Sequence, residues 1–314
     1  MATEGSGRPG TAGEPTADVE GPWSHDQAVV GDVRLHYVEA GDEDDPLVVL
    51  LHGFPEFWYS WRHQLPALAD AGFRAVAPDM RGYNRSEKPR GLDSYRTDEL
   101  VGDVAGLIEH FGRERAHVVG HDWGGLVAWQ TAMRRPDAVD RLAVLNAPHP
   151  AAYRRELKRN PEQWRRSWYV GWFQVPALPE TFLGARNAAG VGRLLRESAD
   201  PDTFSDAEVR RYRAAASRPG ALSSALNYYR ALFRESLGDE LRRAVGRRER
   251  RDRVRAPTRL IWGERDPALA VELTEGLDRW VPDLRVERLP AATHWVQNDR
   301  PDAVSDLLVD HFEE

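Results

Sequence analysis

The stretch AHVVGHDWGGLVAWQ, residues 116–130, constrains this chain more tightly than any other. A β-branched run, HVV, ends in Gly120-His121-Asp122-Trp123-Gly124, and a helical pattern, GLVAWQTAM, begins at once. A strand that becomes a helix within so few residues lifts the residue at its tip above the sheet edge, and that residue is usually a serine. Here it is Asp122. Alone, an aspartate opening a helix is most often an N-cap, stabilising it by about 1 kcal/mol. A cap, however, does not need glycine on both sides. A carboxylate is already anionic at neutral pH, its reference pKa being near ~4, so it needs no base before it attacks. Against an acyl carbon it would form an anhydride. Against a saturated carbon bearing a leaving group it forms an ordinary alkyl ester.

The text around the turn alternates strand-like and helix-like segments. QAVV and VRLHYVEA meet at Gly31-Asp32, a hairpin signal. LVVLL, FRAVAPDM, AHVVG and RLAVLNAP are apolar strand runs separated by the helical patterns SWRHQLPALADAG and TDELVGDVAGLIEHFG, the latter with Thr97 as expected N-cap and Gly112 as stop. From about residue 148 to 255 the chain turns helical, aromatic and arginine-rich, with no apolar strand run. The alternation then resumes with TRLIWGERD, a helix expected over ALAVELTEGLDRWV, the strand LRVERLP and a final helix over PDAVSDLLVDHFEE. The order predicts an α/β fold: a mainly parallel sheet with helices on both faces, its core in residues 25–147 and 256–314, interrupted by a helical insertion at 148–255. Residues 1–24, rich in Gly, Pro, Thr and Glu, read as a disordered tail without a signal-peptide core.

Composition removes several classes of function. With no cysteine among 314 residues, thiol nucleophiles, disulfides and cysteine metal sites are excluded. A net charge of -7 gives no overall footprint for nucleic acid. The run LRRAVGRRERRDRVR reads as a solvated helix and loop rather than an anion site. No apolar run is long enough to span a bilayer, so no membrane insertion and a cytoplasmic location are expected.

In a parallel sheet, ligands bind beyond the carboxyl ends of the strands. LVVLL is followed by His52-Gly53-Phe54-Pro55-Glu56, AHVVG by Asp122, RLIWG by Glu264-Arg265-Asp266, and RVERLP by AATHW with His294. Each has a bland reading: a tight turn, a cap, a turn residue before Pro267, a core histidine. In the chain order nucleophile, acid, histidine, all at strand ends, they form a catalytic set instead. RLAVLN ends in Asn146, so Asp266 is the expected acid.

These phrases carry a resemblance. From about Gln27 onward the chain resembles the α/β-hydrolase fold, and within it the soluble epoxide hydrolases, through HGFPEFWYSWRHQLPALADAGFRAVAPDMRGY, GHDWGG, ERD before PAL, and THW. The resemblance implies that the insertion is a cap over the site and supplies two tyrosines to the epoxide oxygen. SWYVGWFQVP places one at Tyr169 and ALNYYRALF the other at Tyr229, with Tyr228 its neighbour. Without the resemblance, both would read as aromatic packing. In the implied reaction Asp122 attacks the epoxide carbon, and His294, held by Asp266, activates water against the ester. The backbone N–H groups of Phe54 and Trp123 receive the oxyanion. His52, Pro55, Trp58 and Trp172 are expected to contact an apolar epoxide. Neither cofactor nor metal is expected, and a homodimer is left open. The rival readings are a haloalkane or haloacid dehalogenase on the same aspartate and, more remotely, a non-catalytic receptor on the same fold.

Overall fold

The protein, seen in a computed structural model, is described here for residues 19–244 and 252–314. Most of the expected tail and residues 245–251 of the arginine run lie outside them. The strands are β1 (Ser24–Val30), β2 (Val33–Ala40), β3 (Leu47–Leu51), β4 (Arg74–Pro78), β5 (Ala116–His121), β6 (Val139–Leu145), β7 (Thr258–Gly263) and β8 (Leu284–Leu289). They form one sheet in the order β1-β2-β4-β3-β5-β6-β7-β8. β1 and β2 form an antiparallel hairpin through Gly31, and β2 lies antiparallel on β4; every other pairing is parallel. β3 and β5 are buried along their whole length, as parallel strands covered on both faces require.

Four helices flank the sheet: α1 (Gln64–Asp70), α2 (Thr97–His110), α3 (Asp122–Arg134) and, at the C-terminus, Pro301–Glu313. α1 packs on the C-terminal helix and on β2 and β4, whereas α2 and α3 pack on each other and on β1, β3, β5 and β6. Between β6 and β7 come α4 (Pro150–Arg159), α5 (Pro161–Arg166), α6 (Trp168–Trp172), α7 (Leu178–Ser198), α8 (Asp206–Ala216) and α9 (Ala221–Ala244). α7 is interrupted at Ala185–Ala188, where three consecutive residues take left-handed backbone angles. The short α10 (Val296–Asp299) precedes the C-terminal helix, α11. Among the described residues no helix is long and apolar enough to cross a membrane.

Three local expectations are corrected. The tail ends sooner than residue 24: Trp23 Nε1 donates to the Val19 carbonyl at 2.8 Å, its ring packs edge-on against Trp58, and β1 opens at Ser24. Thr97 is the first residue of α2 rather than its cap. Its hydroxyl and amide both donate to Glu235 of α9, so a distant carboxylate satisfies that helix end. The helix expected at 268–281 shrinks to a 3₁₀ turn, Val271–Thr274, because Gly276 takes φ +60° and the chain folds back so that Trp280 N–H bonds to the Leu277 carbonyl.

Candidate active site

The register sets the carboxyl ends of five adjacent parallel strands along one edge. Leu51 of β3 is opposite Gly120 of β5, His121 is opposite Leu145 of β6, Leu145 is opposite Ile261 of β7, and Gly263 of β7 is opposite Leu289 of β8. The residues just beyond those ends converge there.

Asp122 sits at the turn from β5 into α3 with φ +49°, a left-handed conformation that costs a non-glycine residue energy and persists only where its surroundings enforce it. The enforcement is close packing. A Cβ on Gly124 would lie 2.1 Å from the Leu51 carbonyl oxygen, and one on Gly53 would lie 2.5 Å from the Asp122 Cβ. Glycine at both positions lets the β3 loop and the turn approach until the Phe54 N–H donates to Asp122 Oδ1 at 2.8 Å. Burial pushes the Asp122 carboxyl up. The charges of His294 and His121 and the Phe54 and Trp123 amides oppose that shift without cancelling it.

His294 Nδ1 donates to Asp266 Oδ2 at 2.6 Å, and its Nε2 faces Asp122 Oδ2 at 3.7 Å. Burial alone would lower this imidazole. The charge and hydrogen bond of Asp266, with the charge of Asp122, instead raise it to about 9. Asp266 is fully buried, yet the His294 charge and hydrogen bonds from His294, Asn146 and the Ala268 amide hold it below the usual carboxylate range. Asn146 takes part directly: its Nδ2 donates to Asp266 Oδ2 at 2.8 Å and its Oδ1 accepts from Gly263 N–H at 2.8 Å.

The insertion closes over this set. The Tyr229 ring lies 4.8 Å from Trp123, 5.7 Å from Phe54 and 6.1 Å from Tyr169. Burial raises both phenols well above 10, and the Asp122 charge raises them further, so both hold their protons beside the carboxylate. Tyr228 points elsewhere, its hydroxyl donating to the Arg81 carbonyl at 2.8 Å. Trp172 lies further out, packed between Trp168, Phe173 and Phe182. Pro55 is buried and follows a cis peptide bond from Phe54.

Two expected substrate contacts are corrected. His52 is wholly buried and both its nitrogens are engaged: Nδ1 donates to the Gly53 carbonyl at 2.9 Å and Nε2 accepts from Met80 N–H at 3.0 Å. The Trp58 ring is buried against Trp23 and His25, and its backbone N–H donates to Asp79 Oδ1 at 3.1 Å. Neither side chain has a face to offer a ligand.

The structure also assembles a support that sequence reasoning missed. Glu56 Oε2 accepts from Gly53 N–H at 2.8 Å and from His121 Nδ1 at 2.7 Å, while Oε1 accepts from Gln297 at 3.0 Å. Burial raises the Glu56 carboxyl, but the His121 charge and the bonds from His121, Ser60 and Gly53 override it and hold it near about 2. The other His121 nitrogen meets the His294 carbonyl at 2.8 Å. His121 thus links Glu56 of the β3 loop to the His294 loop and braces one against the other. The signal was present in the letters: Glu56 stands three residues after Gly53, and His121 adjoins the nucleophile position. The cap adds a second brace. Gln163 Nε2 donates to the Ala268 carbonyl at 3.1 Å, its Oε1 accepts from Ala270 N–H at 2.8 Å, and Arg166 donates to the Asp266 carbonyl at 2.8 Å. Their partners lie a hundred residues away, beyond the reach of any local pattern. Among the described residues no group of three His, Asp or Glu is disposed to hold a metal ion.

Comparisons with known proteins agree with this geometry. A family model for the alpha/beta hydrolase fold matches residues 46–301. The chain is 41% identical over 280 residues to the AB hydrolase superfamily protein YfhM of Bacillus subtilis, covering 89% of this chain and 94% of that one. It is 39% identical to epoxide hydrolase 3 of Xenopus tropicalis, covering 90% of this chain and 75% of that one. Among solved structures, an epoxide hydrolase from Bacillus megaterium in complex with an inhibitor superposes with a TM-score of 0.82 at 33% identity, over 92% of this chain and all of that one. Fold, strand-end residues and relatives converge: the chain belongs to the epoxide hydrolases of the α/β-hydrolase fold.

Proposed function

We propose that this chain hydrolyses an apolar epoxide to a vicinal diol through a covalent ester on Asp122, with residues 148–255 as the cap that encloses the reaction. One observation carries the reading. A carboxylate pinned by the Phe54 N–H faces a histidine whose far nitrogen is tied to a buried acid, and the Tyr229 ring packs on Trp123 and Phe54 with the Tyr169 ring 6.1 Å from it.

Asp122 attacks one epoxide carbon and the C–O bond to that carbon breaks. The developing alkoxide takes a hydrogen bond from each phenol and a proton from one of them, Tyr169 or Tyr229. The separation of 3.7 Å between His294 Nε2 and the Asp122 carboxylate is too long for a direct hydrogen bond. It suits a base that serves a molecule lying against the carboxyl carbon. Water deprotonated there adds to that carbon, the Phe54 and Trp123 amides stabilise the oxyanion, and the acyl–oxygen bond breaks. The leaving alkoxide takes the proton held by His294, while the second proton of the water restores the tyrosine. The diol leaves with an oxygen that belonged to Asp122, and Asp122 keeps the oxygen of water.

A single turnover of styrene oxide in ¹⁸O-water is the test. The label is expected in the peptide containing Asp122 and absent from the first diol formed. Label in the diol alone would overturn the mechanism. Halide release from chlorinated alkanes without any diol from epoxides would favour the dehalogenase reading.

A further inference from the structure

All but one of the exposed large apolar side chains among the described residues lie in the helical insertion, including Trp164 at 70% and Trp168 at 68% exposure. Several are joined by ring contacts: the Trp168 ring lies 6.2 Å from Trp172, and Trp172 lies 5.7 Å from Phe182, while Trp164 is exposed on α5, the helix just before α6. Arg230 ties α9, with exposed Phe233 and Leu237, to the same segment by donating to the Phe173 and Val175 carbonyls. Inward, Trp172 lies 5.3 Å from Phe173, whose ring is 4.7 Å from Tyr229 and 5.6 Å from Phe54. Aromatic contact thus runs from an exposed face to the loop that holds Asp122.

Composition distinguishes the insertion from the rest of the chain. Residues 148–255 hold 23 Lys and Arg against 13 Asp and Glu, while the remainder holds 20 against 37. Arg165, Arg186 and Arg234 are exposed on helices that carry these apolar residues, and Lys158 and Arg159 are exposed at the end of α4 just before them. The nearby acids Glu162 and Glu180 are already paired, with Arg165 and Arg166 and with Arg230.

We propose that this face rests on an anionic lipid surface, with Trp164, Trp168 and Phe182 in the headgroup layer and the surrounding basic side chains on lipid phosphates. Amphipathic aromatic rings ringed by arginine suit that boundary, and each basic residue near an anionic leaflet adds to the attraction. A second copy of the chain fits less well, because a two-fold contact would set the same basic rim against itself. The association is peripheral, since no helix among the described residues can cross a membrane. An epoxide dissolved in lipid would meet the aromatic path without crossing water. That consequence rests on the proposed function, whereas the docking does not.

The full chain is sedimented with phosphatidylcholine vesicles that contain or lack phosphatidylglycerol. Binding at least ~10-fold tighter to the anionic vesicles, weakened by salt, is expected. The double variant Trp164→Ser/Trp168→Ser should lose binding ~10-fold while keeping its circular dichroism spectrum and its turnover of a water-soluble epoxide. Equal affinity for both vesicles, no affinity for either, or an unchanged double variant would overturn the proposal. So would a dimer abolished by the double variant in a chain that binds no vesicles. A chain that binds anionic vesicles yet makes no diol would leave the docking standing and remove the proposed chemistry.

Discussion

Asp122 at φ +49° is the clearest case of a residue whose position is enforced by its neighbours. The conformation places its carboxylate on the amide of Phe54, whose side chain packs against Tyr229. Tyr229→Phe should slow ester formation by roughly 10- to 100-fold, with a smaller effect on ester hydrolysis, because the phenol acts on the leaving oxygen. Rapid-quench kinetics separates the two steps. His294 gives a pH prediction. In the free enzyme it is raised to about 9 by Asp266 and, to a lesser extent, by Asp122. Esterification removes the Asp122 charge, so the imidazole becomes easier to deprotonate when it is needed as a base. The acid limb of kcat should therefore lie at lower pH than the titration of His294 in the free enzyme followed by NMR. Coincident values would contradict a charge-free ester beside the ring. Glu56→Gln removes the carboxylate opposite His121 and should depress ester hydrolysis more than ester formation, because the brace reaches the His294 backbone. Equal loss in both steps would point to general misfolding instead.

At the scale of elements, the helical insertion is fastened to the loop that follows β7. Gln163 and Arg166 of α5 grip the segment from Asp266 to Ala270, and Tyr169 follows on α6. One short stretch thus sets both a phenol and the acid loop. Gln163→Ala should slow ester hydrolysis by about 10-fold and let a covalent adduct build up, visible by intact mass during turnover. α8 begins with a capping box, Ser205 with Glu208, and Glu208 also pairs with Arg62 of the core. Ser205→Ala should cost about 1 kcal/mol in denaturant unfolding with kcat unchanged. The elements show what local pattern can and cannot carry. β3 was readable because its uninterrupted apolar run admits few alternatives, and β5 and β7 because short β-branched or apolar cores, VV and LIW, end at a glycine. The helix expected at 268–281 was not, because its periodicity is real but the turn at Gly276 overrides it. Thr97 was misread because its partner, Glu235, lies 138 residues away.

The whole molecule responds to pH through its buried histidines. Burial lowers His117, His149 and His311 from an ordinary value near 6.5 to about 4. The unfolded chain then binds more protons than the folded one between those values, so stability falls as pH drops from 6.5 toward 4. His294 works the other way: its contribution is complete below 6.5 and is lost as pH rises through about 9. Glu56 adds stability above 4.5 that is lost as pH falls toward about 2. Thermal unfolding across pH should show its maximum near neutrality and decline on the acid side before ordinary carboxylates titrate.

The sequence by itself determined the class of fold, the order in which Asp122, Asp266 and His294 follow strand ends, and the break in rhythm that marks the helical insertion. Those follow from hydrophobic period and from residue type at strand ends, which are local properties. Only the tertiary structure decided that Tyr228 turns to the Arg81 carbonyl while Tyr229 packs on Trp123 and Phe54, that His52 and Trp58 are sealed away, and that Asn146, Glu56, His121 and Gln163 hydrogen-bond to the strand-end loops. Each of those depends on a hydrogen bond or a ring contact between segments far apart in the chain, and such partners exist only once the sheet has brought its strand ends to one edge.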